Sequence, residues 1–294
     1  MEGNRVNLRI TAAESAAVRD RLARLADGIP DLPADADLAP ALPATGGVPG
    51  RWTNASGRPP GEAGVVLYVH GGGFAGTEPR TERAFAYRLS QATGRPVFGV
   101  DYRLAPAHPY PAAMHDVAAA HRRMIEQGVP AGRIVHVGES AGATLVLSAL
   151  LALEQAGGTL PATAVVLSPL ADLTLSSPSL TADRGRDTIS KAALETACTR
   201  YLAGARPDAA PQSPLHGDLS GLPDLLVVAG GAEVLADDAR RLAAAATAAG
   251  TLARLDLYED LPHVFHLALL TGAPTAATDT FLRRLAQWTH ERTA

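Results

Sequence analysis

The sequence predicts an α/β fold, a mostly parallel central sheet with helices on both faces, and three observations support this prediction. From residue 64 onward, short apolar runs alternate with segments of helical periodicity. The apolar runs are almost continuously hydrophobic, as in strands that are buried on both faces. A length of 294 residues with 47% hydrophobic residues allows one large domain with a sizeable core.

The predicted elements follow the chain in a regular order. Strands are predicted at 64–69, 96–102, 133–138, 162–168, 224–230 and 253–258. Helices are predicted near 80–92, 113–127, 141–155, 190–203, 235–249 and 275–292. A preceding helix is predicted to begin at Thr11, where Glu14 completes a capping-box pattern, and to end at Gly28. A short strand is predicted near Arg51 and Trp52.

Composition and charge exclude several classes of protein. The net charge of −4 leaves no basic face for nucleic acid, and the single cysteine, Cys198, forms no internal disulfide. The opening residues lack the apolar core of a signal peptide, and the longest apolar stretch, 141–153, is too short to span a bilayer. No histidine spacing typical of a metal site is present, so we expect neither a metal nor another cofactor. We therefore expect a cytoplasmic protein without a transmembrane segment, and a homodimer is compatible with the sequence.

The segment "GESAG" at 138–142 lies between a predicted strand and a predicted helix. In that context G-x-S-x-G is typical of a sharp turn that lifts a serine hydroxyl out of the sheet. An alternative role for Ser140 is that of a helix N-cap, which serine favours. We predict that Ser140 is a nucleophile.

A nucleophilic serine requires a base and an acid. His263 follows the strand at 253–258 through the turn "EDLP", at the end of the sheet where open α/β folds place ligands, and His266 is its competitor. Glu233, Asp237 and Asp238 compete for the acid after the strand at 224–230. Glu233 is favoured because it lies closest to the strand end, whereas the two aspartates fit the first turn of a helix. The resulting order, serine, acid and then histidine, is that of α/β-hydrolases.

The glycine tract in "YVHGGGFAG", residues 68–76, predicts a loop that a carbonyl group approaches closely. An oxyanion hole takes its donors from such a loop and from the N–H after the nucleophile, here Ala141. A flexible turn and a phosphate loop are the alternatives, but a phosphate loop requires a Lys-Ser/Thr pair that this segment lacks. His70 is expected to brace the loop rather than to act as a base.

These motifs resemble the hormone-sensitive-lipase-like family of bacterial esterases within the α/β-hydrolases. The resemblance runs from about residue 64 to the end and includes "HGGGF", "DYRLAPAHPYPAA", "GESAG", "SPLADLT" and "LPHVFH" in the family's order. It implies the α/β-hydrolase fold with an N-terminal helical cap that shapes the substrate pocket. The site residues that it implies are Ser140, Glu233 and His263 for the triad, and Gly71, Gly72, Gly73 and Ala141 for the oxyanion hole.

The resemblance also implies a domain organisation and a function. We predict a cap or lid region at 1–50, a catalytic domain at 51–294, and an insertion at 172–223 near the active-site edge. We expect a serine carboxylic-ester hydrolase that acts on small, short-acyl esters through an acyl-enzyme. A lactone hydrolase with the same triad, an amidase or peptidase, and a non-catalytic ligand-binding homologue are the alternatives.

Overall fold

The computed structural model describes residues 5–32, 36, 48–181 and 187–293. Its strands are β1 (Arg5–Leu8), β2 (Gly50–Thr53), β3 (Val65–Val69), β4 (Val97–Val100), β5 (Ile134–Glu139), β6 (Thr163–Leu167), β7 (Asp224–Gly230) and β8 (Ala253–Tyr258). In these parts of the chain the strands form one eight-stranded sheet in the order β1-β8-β7-β6-β5-β3-β4-β2. Neighbouring strands are parallel except for β2, which runs antiparallel to β4 at one edge. The predicted α/β class is thereby confirmed.

Helices connect the strands and cover both faces of the sheet. They are α1 (Ala12–Ala23), α2 (Pro60–Ala63), α3 (Pro79–Thr93), α4 (Ala112–Glu126), α5 (Ala141–Gln155), α6 (Lys191–Leu202), α7 (Ala236–Ala248) and α8 (Ala276–Thr293). Each predicted helix and strand is confirmed within a few residues. The predicted capping box is present, since Thr11 and Glu14 cap each other's backbone at the start of α1.

The two-residue period of the strands divides the core into two layers. Along β3, Val65, Leu67 and Val69 contribute to one buried cluster, which includes residues of α4, α5 and α7. The alternate residues Val66 and Tyr68 contribute to the other cluster, with residues of α1, α3 and α8. Because both faces are covered, the strands are hydrophobic throughout, as the continuous apolar runs predict.

The N-terminal region joins the sheet through β1, a strand that the sequence pattern does not predict. β1 pairs in parallel with β8, and the Glu259 N–H donates to the Leu8 carbonyl at 3.0 Å. The division into a cap at 1–50 and a catalytic domain at 51–294 stays a prediction. Residues 33–35 and 37–47 of the predicted cap or lid region, and 182–186 of the predicted insertion, lie outside the described residues.

The carboxyl ends of the parallel strands meet at one edge of the molecule. The loop with the three glycines follows β3, the GESAG turn follows β5, and the segments with Glu233 and His263 follow β7 and β8. Neighbouring parallel strands end side by side, so residues that are far apart in sequence are brought together at this edge.

Candidate active site

Ser140 occupies the sharp turn between β5 and α5 that its motif predicts. Its backbone angles are φ 52° and ψ −120°, a sparsely populated conformation for a residue with a side chain. The flanking glycines allow the turn: a Cβ at Gly142 would overlap the Val69 carbonyl, and one at Gly138 would lie 2.6 Å from the Gly142 oxygen. The serine therefore stands at the carboxyl end of the sheet, held there by close backbone packing.

His263 is placed directly beside the serine. Its Nε2 lies 2.9 Å from Ser140 Oγ, a hydrogen-bonding distance. The competitor, His266, points away from the serine and places its Nε2 2.6 Å from Glu139 Oε2. Of the two candidate histidines, His263 is therefore the one within hydrogen-bonding distance of the Ser140 hydroxyl.

Glu233 lies on the other side of the His263 ring. Its Oε2 is 3.5 Å from His263 Nδ1, an ion-pair distance that is longer than a hydrogen bond. The same oxygen accepts a hydrogen bond of 2.7 Å from the Ser168 hydroxyl, whereas Oε1 has no partner among the described residues. Burial raises the pKa of Glu233, although His263 and Ser168 act in the opposite direction.

The two competing aspartates face a different part of the molecule. Asp237 accepts a hydrogen bond of 2.9 Å from the Ser179 N–H, and Asp238 accepts the N–H groups of Ala171 and Asp172 at 2.8 and 3.0 Å. Both aspartates lie in the first turn of α7, as expected. They hold the loop after β6 in place, and neither contacts His263.

The glycine loop after β3 is the segment for which an oxyanion hole is predicted. Gly72 and Gly73 have positive φ angles of 94° and 60°, and a Cβ at Gly72 would overlap the Gly76 carbonyl. In the parts of the chain described here, the N–H groups of Gly72, Gly73 and Ala141 donate to no other group. The Gly71 N–H differs, since it lies 3.3 Å from Glu139 Oε1. Of the four predicted donors, the N–H groups of Gly72, Gly73 and Ala141 are thus unpaired among the described residues, whereas that of Gly71 is engaged by Glu139.

His70 supports this loop in the manner expected from the sequence. Its Nδ1 lies 2.9 Å from the Gly71 carbonyl, and its ring stacks on Tyr102 with 4.3 Å between centroids. The Tyr102 hydroxyl donates to the carbonyls of both His70 and Gly71 at 3.0 Å. These contacts hold the carbonyl of Gly71 in place.

Glu139 is a buried carboxylate that the sequence analysis does not single out, because it occupies the variable position of G-x-S-x-G. It accepts hydrogen bonds from His266, from the Tyr68 hydroxyl at 2.9 Å and from the Gly71 N–H. Burial alone would raise the pKa of Glu139, but these donors together hold it below its usual value. Glu139 thereby ties the serine turn to the glycine loop and to the segment after His263.

The N-terminal helix supports the histidine from outside the sheet. The Ser15 hydroxyl and the Arg19 guanidinium donate to the Asp260 carbonyl at 2.7 and 2.8 Å. Asp260 belongs to the turn that leads to His263 and has a positive φ of 61°. Sequence reasoning assigns α1 to a cap over the substrate, and no periodic signal would reveal this contact.

The helix α6, which belongs to the predicted insertion, packs against the glycine loop after β3. A Cβ at Gly73 would lie 3.3 Å from the Ala197 Cβ of α6. The Phe74 ring stacks on Tyr201 of the same helix with 4.0 Å between centroids. The helix α6 therefore leaves little space next to Gly73.

Two features, a cluster of metal ligands and a membrane-spanning helix, are absent from the residues that the structure describes. Among them there is no cluster of three or more His, Cys, Asp or Glu side chains with the proximity that a metal ion needs. Within the same residues, none of the helices combines the length and the hydropathy of a membrane crossing.

Known proteins are similar to this chain in both sequence and architecture. The model of a family with the alpha/beta hydrolase fold matches residues 66–267. An acetyl-hydrolase of Streptomyces hygroscopicus is 44% identical over 203 residues, 69% of this chain and 68% of that protein. An esterase of Acinetobacter venetianus is 35% identical over 205 residues, 69% of this chain and 68% of that protein. The crystal structure of an esterase from the bacterial hormone-sensitive lipase family superposes with a TM-score of 0.86 at 34% identity, over 97% of this chain and 100% of that one.

Proposed function

This chain belongs to the hormone-sensitive-lipase-like bacterial esterases of the α/β-hydrolase fold, and on that premise we propose that it cleaves small carboxylic esters through a Ser140 acyl-enzyme. The relatives and neighbours are named esterases and an acetyl-hydrolase, which makes the chain a carboxylic ester hydrolase, and the presence of His263 argues against the non-catalytic ligand-binding alternative. The observation that carries the mechanism is the 2.9 Å contact between Ser140 Oγ and His263 Nε2 at a strained turn.

In the acylation half-reaction, His263 Nε2 takes the proton of Ser140 as Oγ attacks the ester carbonyl carbon. The carbonyl oxygen becomes an oxyanion, which accepts hydrogen bonds from the N–H groups of Gly72, Gly73 and Ala141. The imidazolium then gives its proton to the departing alkoxide, and the alcohol leaves. Glu233 stabilises the imidazolium and keeps the neutral ring in the tautomer with its proton on Nδ1.

In the deacylation half-reaction, His263 accepts a proton from a water molecule that attacks the acyl carbon. The same three N–H groups stabilise the second oxyanion. Collapse of this intermediate breaks the bond to Ser140 Oγ, which regains its proton from His263. A carboxylic acid is released and the free enzyme is restored.

Two observations support a small acyl group. The helix α6 places Ala197 close to Gly73, so that little room remains beside the oxyanion donors. The Streptomyces relative, which is 44% identical over 203 residues, is an acetyl-hydrolase. A hydrophobic pocket distinguishes acyl chains by steric exclusion and by the contacts of each methylene.

The proposal is tested with p-nitrophenyl esters from acetate to decanoate, assayed together with a γ- and a δ-lactone. We expect kcat/KM to be highest between acetate and butyrate and to fall by about tenfold or more by octanoate, because a long chain meets the wall of α6. A maximum at decanoate would contradict the small-acyl assignment, and a lactone preferred over every ester would replace the substrate class.

A serine-directed fluorophosphonate tests the nucleophile independently of the substrate. We expect it to label the wild-type chain at Ser140, as located by peptide mass spectrometry, and to leave Ser140→Ala unlabelled. The matched control is Ser148→Ala, which removes a hydroxyl from the buried interior of α5 away from the turn. Labelling at another serine would contradict the acyl-enzyme assignment.

A further inference from the structure

Asp187, in the insertion between β6 and β7, contacts both loops that carry the proposed acid and base. Its Oδ2 accepts the Val234 N–H at 2.7 Å, and its Oδ1 accepts the His263 N–H at 2.7 Å. Val234 directly follows Glu233 in the chain. One carboxylate therefore bridges the backbones on which the two side chains stand.

Asp187 links the two loops next to Glu233 and His263, where the spacing of the loops sets the distance between these two side chains. Glu233 and His263 follow neighbouring strands, β7 and β8, and their side chains are separated by 3.5 Å. Beyond the last paired residues, the Ala232 N–H donates to the Leu261 carbonyl at 3.0 Å, and Asp187 adds the link that lies closest to the two side chains. A carboxylate offers only acceptors, and hydrogen bonds from backbone N–H groups to a charged oxygen are short and strong.

A second connection leads from the same place to the base. The Thr188 hydroxyl lies 3.3 Å from the His263 carbonyl, and the Thr188 N–H donates to Asp187 Oδ1 at 2.8 Å. Both ends of the His263 peptide are thereby held by two consecutive residues of the insertion.

We propose that Asp187 is a positioning residue, which sets the distance between Glu233 and His263 through their backbones. This inference rests on the proposed triad. Asp187 contacts neither the serine nor a reacting atom. Its negative charge also lies close to Glu233 and, in addition to burial, contributes to the raised pKa of that carboxyl group.

A merely structural role predicts a different outcome from a positioning role. If Asp187 only anchored the start of α6, its loss would reduce the amount of folded enzyme and leave each remaining site fully active. If it positions the Glu233–His263 pair, every folded enzyme molecule still binds substrate normally but turns it over more slowly. The two roles are separated by kcat per active site.

The test compares Asp187→Ala and Asp187→Asn with wild type and with Asp208→Ala as a matched control. Asp208 is an exposed aspartate of the same insertion, and its carboxylate pairs with Arg206. Active sites are counted by fluorophosphonate labelling, and kcat and KM for p-nitrophenyl acetate are expressed per labelled site. Melting temperatures are recorded for all four proteins.

We expect Asp187→Ala to lower kcat per site by about 10- to 100-fold with KM within about twofold of wild type, since small misplacements of catalytic groups are costly. Asp187→Asn presents one acceptor and one donor, so only one of the two N–H groups is served, and we expect about a tenfold loss. Asp208→Ala is expected to retain wild-type kcat.

A wild-type kcat per labelled site in Asp187→Ala would overturn the inference, as would a wild-type kcat in Asp187→Asn. Ser140→Ala is assayed in parallel. If it kept wild-type turnover, the proposed mechanism would fail whatever the Asp187 variants do, so the two failures are distinguishable.

Discussion

Two buried glutamate–histidine pairs lie at the carboxyl end of the sheet, with their histidines three residues apart in the sequence, and the two pairs have very different hydrogen-bond partners. In the Glu139–His266 pair the facing atoms are 2.6 Å apart, and the carboxylate also accepts bonds from Tyr68 and Gly71. In the Glu233–His263 pair they are 3.5 Å apart, and the carboxylate has one hydroxyl donor, Ser168.

The difference in donors has an electrostatic consequence. Burial raises the pKa of both carboxyl groups. At Glu139 the hydrogen-bond donors outweigh burial and the pKa is lowered, whereas at Glu233 the contributions of His263 and Ser168 do not outweigh it and the pKa stays raised. The several donors to Glu139 make its pair with His266 a structural connection between three segments of the chain. An under-satisfied pair gains an interaction when its histidine becomes positively charged, which is what a general base requires.

Replacement of the serine is the strongest test of which pair is reactive, because only His263 touches Ser140. We expect Ser140→Ala to lower kcat by about 10⁴-fold or more, leaving the contributions of the oxyanion donors and of substrate binding. The fold is expected to persist, since alanine meets the same backbone strain as serine. Hydrolysis of p-nitrophenyl acetate and circular dichroism measure the two properties. Turnover close to wild type in a folded variant would remove Ser140 from the mechanism.

Neutralising the reactive acid should separate activity from stability. We expect Glu233→Gln to lower kcat by at least about 10²-fold, because the amide allows the wrong histidine tautomer and stabilises the imidazolium poorly. The pKa of Glu233 is raised in the folded state, so its ionisation costs stability at every pH above its unfolded pKa. The variant should therefore be at least as stable as wild type in urea unfolding at pH 7.

Glu233→Gln would speak against this assignment if it kept its activity while Asp237→Asn or Asp238→Asn lost theirs. The triad acid would then lie in the first turn of α7, and the loop after β7 would have to adopt another path.

Replacing Glu139, the acid of the supporting pair, should reduce stability more than activity. We expect Glu139→Gln to lower the free energy of unfolding by about 2–3 kcal/mol at pH 7, since a buried charged acceptor loses its charge-assisted bonds. Its effect on kcat should be smaller than that of Glu233→Gln, because Glu139 acts on the loop and not on the base.

The pH dependence of the Glu139 contribution follows from the lowered pKa of this group in the folded state. The stabilisation is present above the unfolded pKa of a glutamate, about 4.3, and is lost as the pH falls through the folded value. Urea unfolding of wild type and Glu139→Gln between pH 7 and pH 3 should show the two curves converging at the acid end. A constant difference over this range would contradict the assignment.

The smallest effects on turnover are expected at the two aspartates of α7. Asp237→Asn and Asp238→Asn should leave kcat within about threefold of wild type, because neither side chain contacts His263. At Asp237 we expect a stability loss of about 0.3–1 kcal/mol from the weaker interaction with the helix N-terminus. Steady-state kinetics and thermal unfolding measure these effects, and the two variants serve as controls for Glu233→Gln.

The sequence alone determined the parts of the protein that depend on local chemistry. Continuous apolar runs predict strands buried on both faces, and the glycines around Ser140 predict a turn too tight for a Cβ. Positions 72 and 73 likewise require a left-handed backbone, which glycine adopts without strain. These signals lie within a few residues of the feature that they predict.

Only the tertiary structure decided how the buried charges are shared. Glu139 and Glu233 are the same residue type, and His263 and His266 are three residues apart; the sequence favours Glu233 and His263 by their positions but does not show that Glu139 pairs with His266. The two carboxylates depend on donors from distant parts of the chain, at separations such as 71 residues for Tyr68 and 65 for Ser168. Packing likewise sets the pairing of β1 with β8 and the bridge from Asp187. A hydrogen bond requires that donor and acceptor be close in space, whatever their separation along the chain.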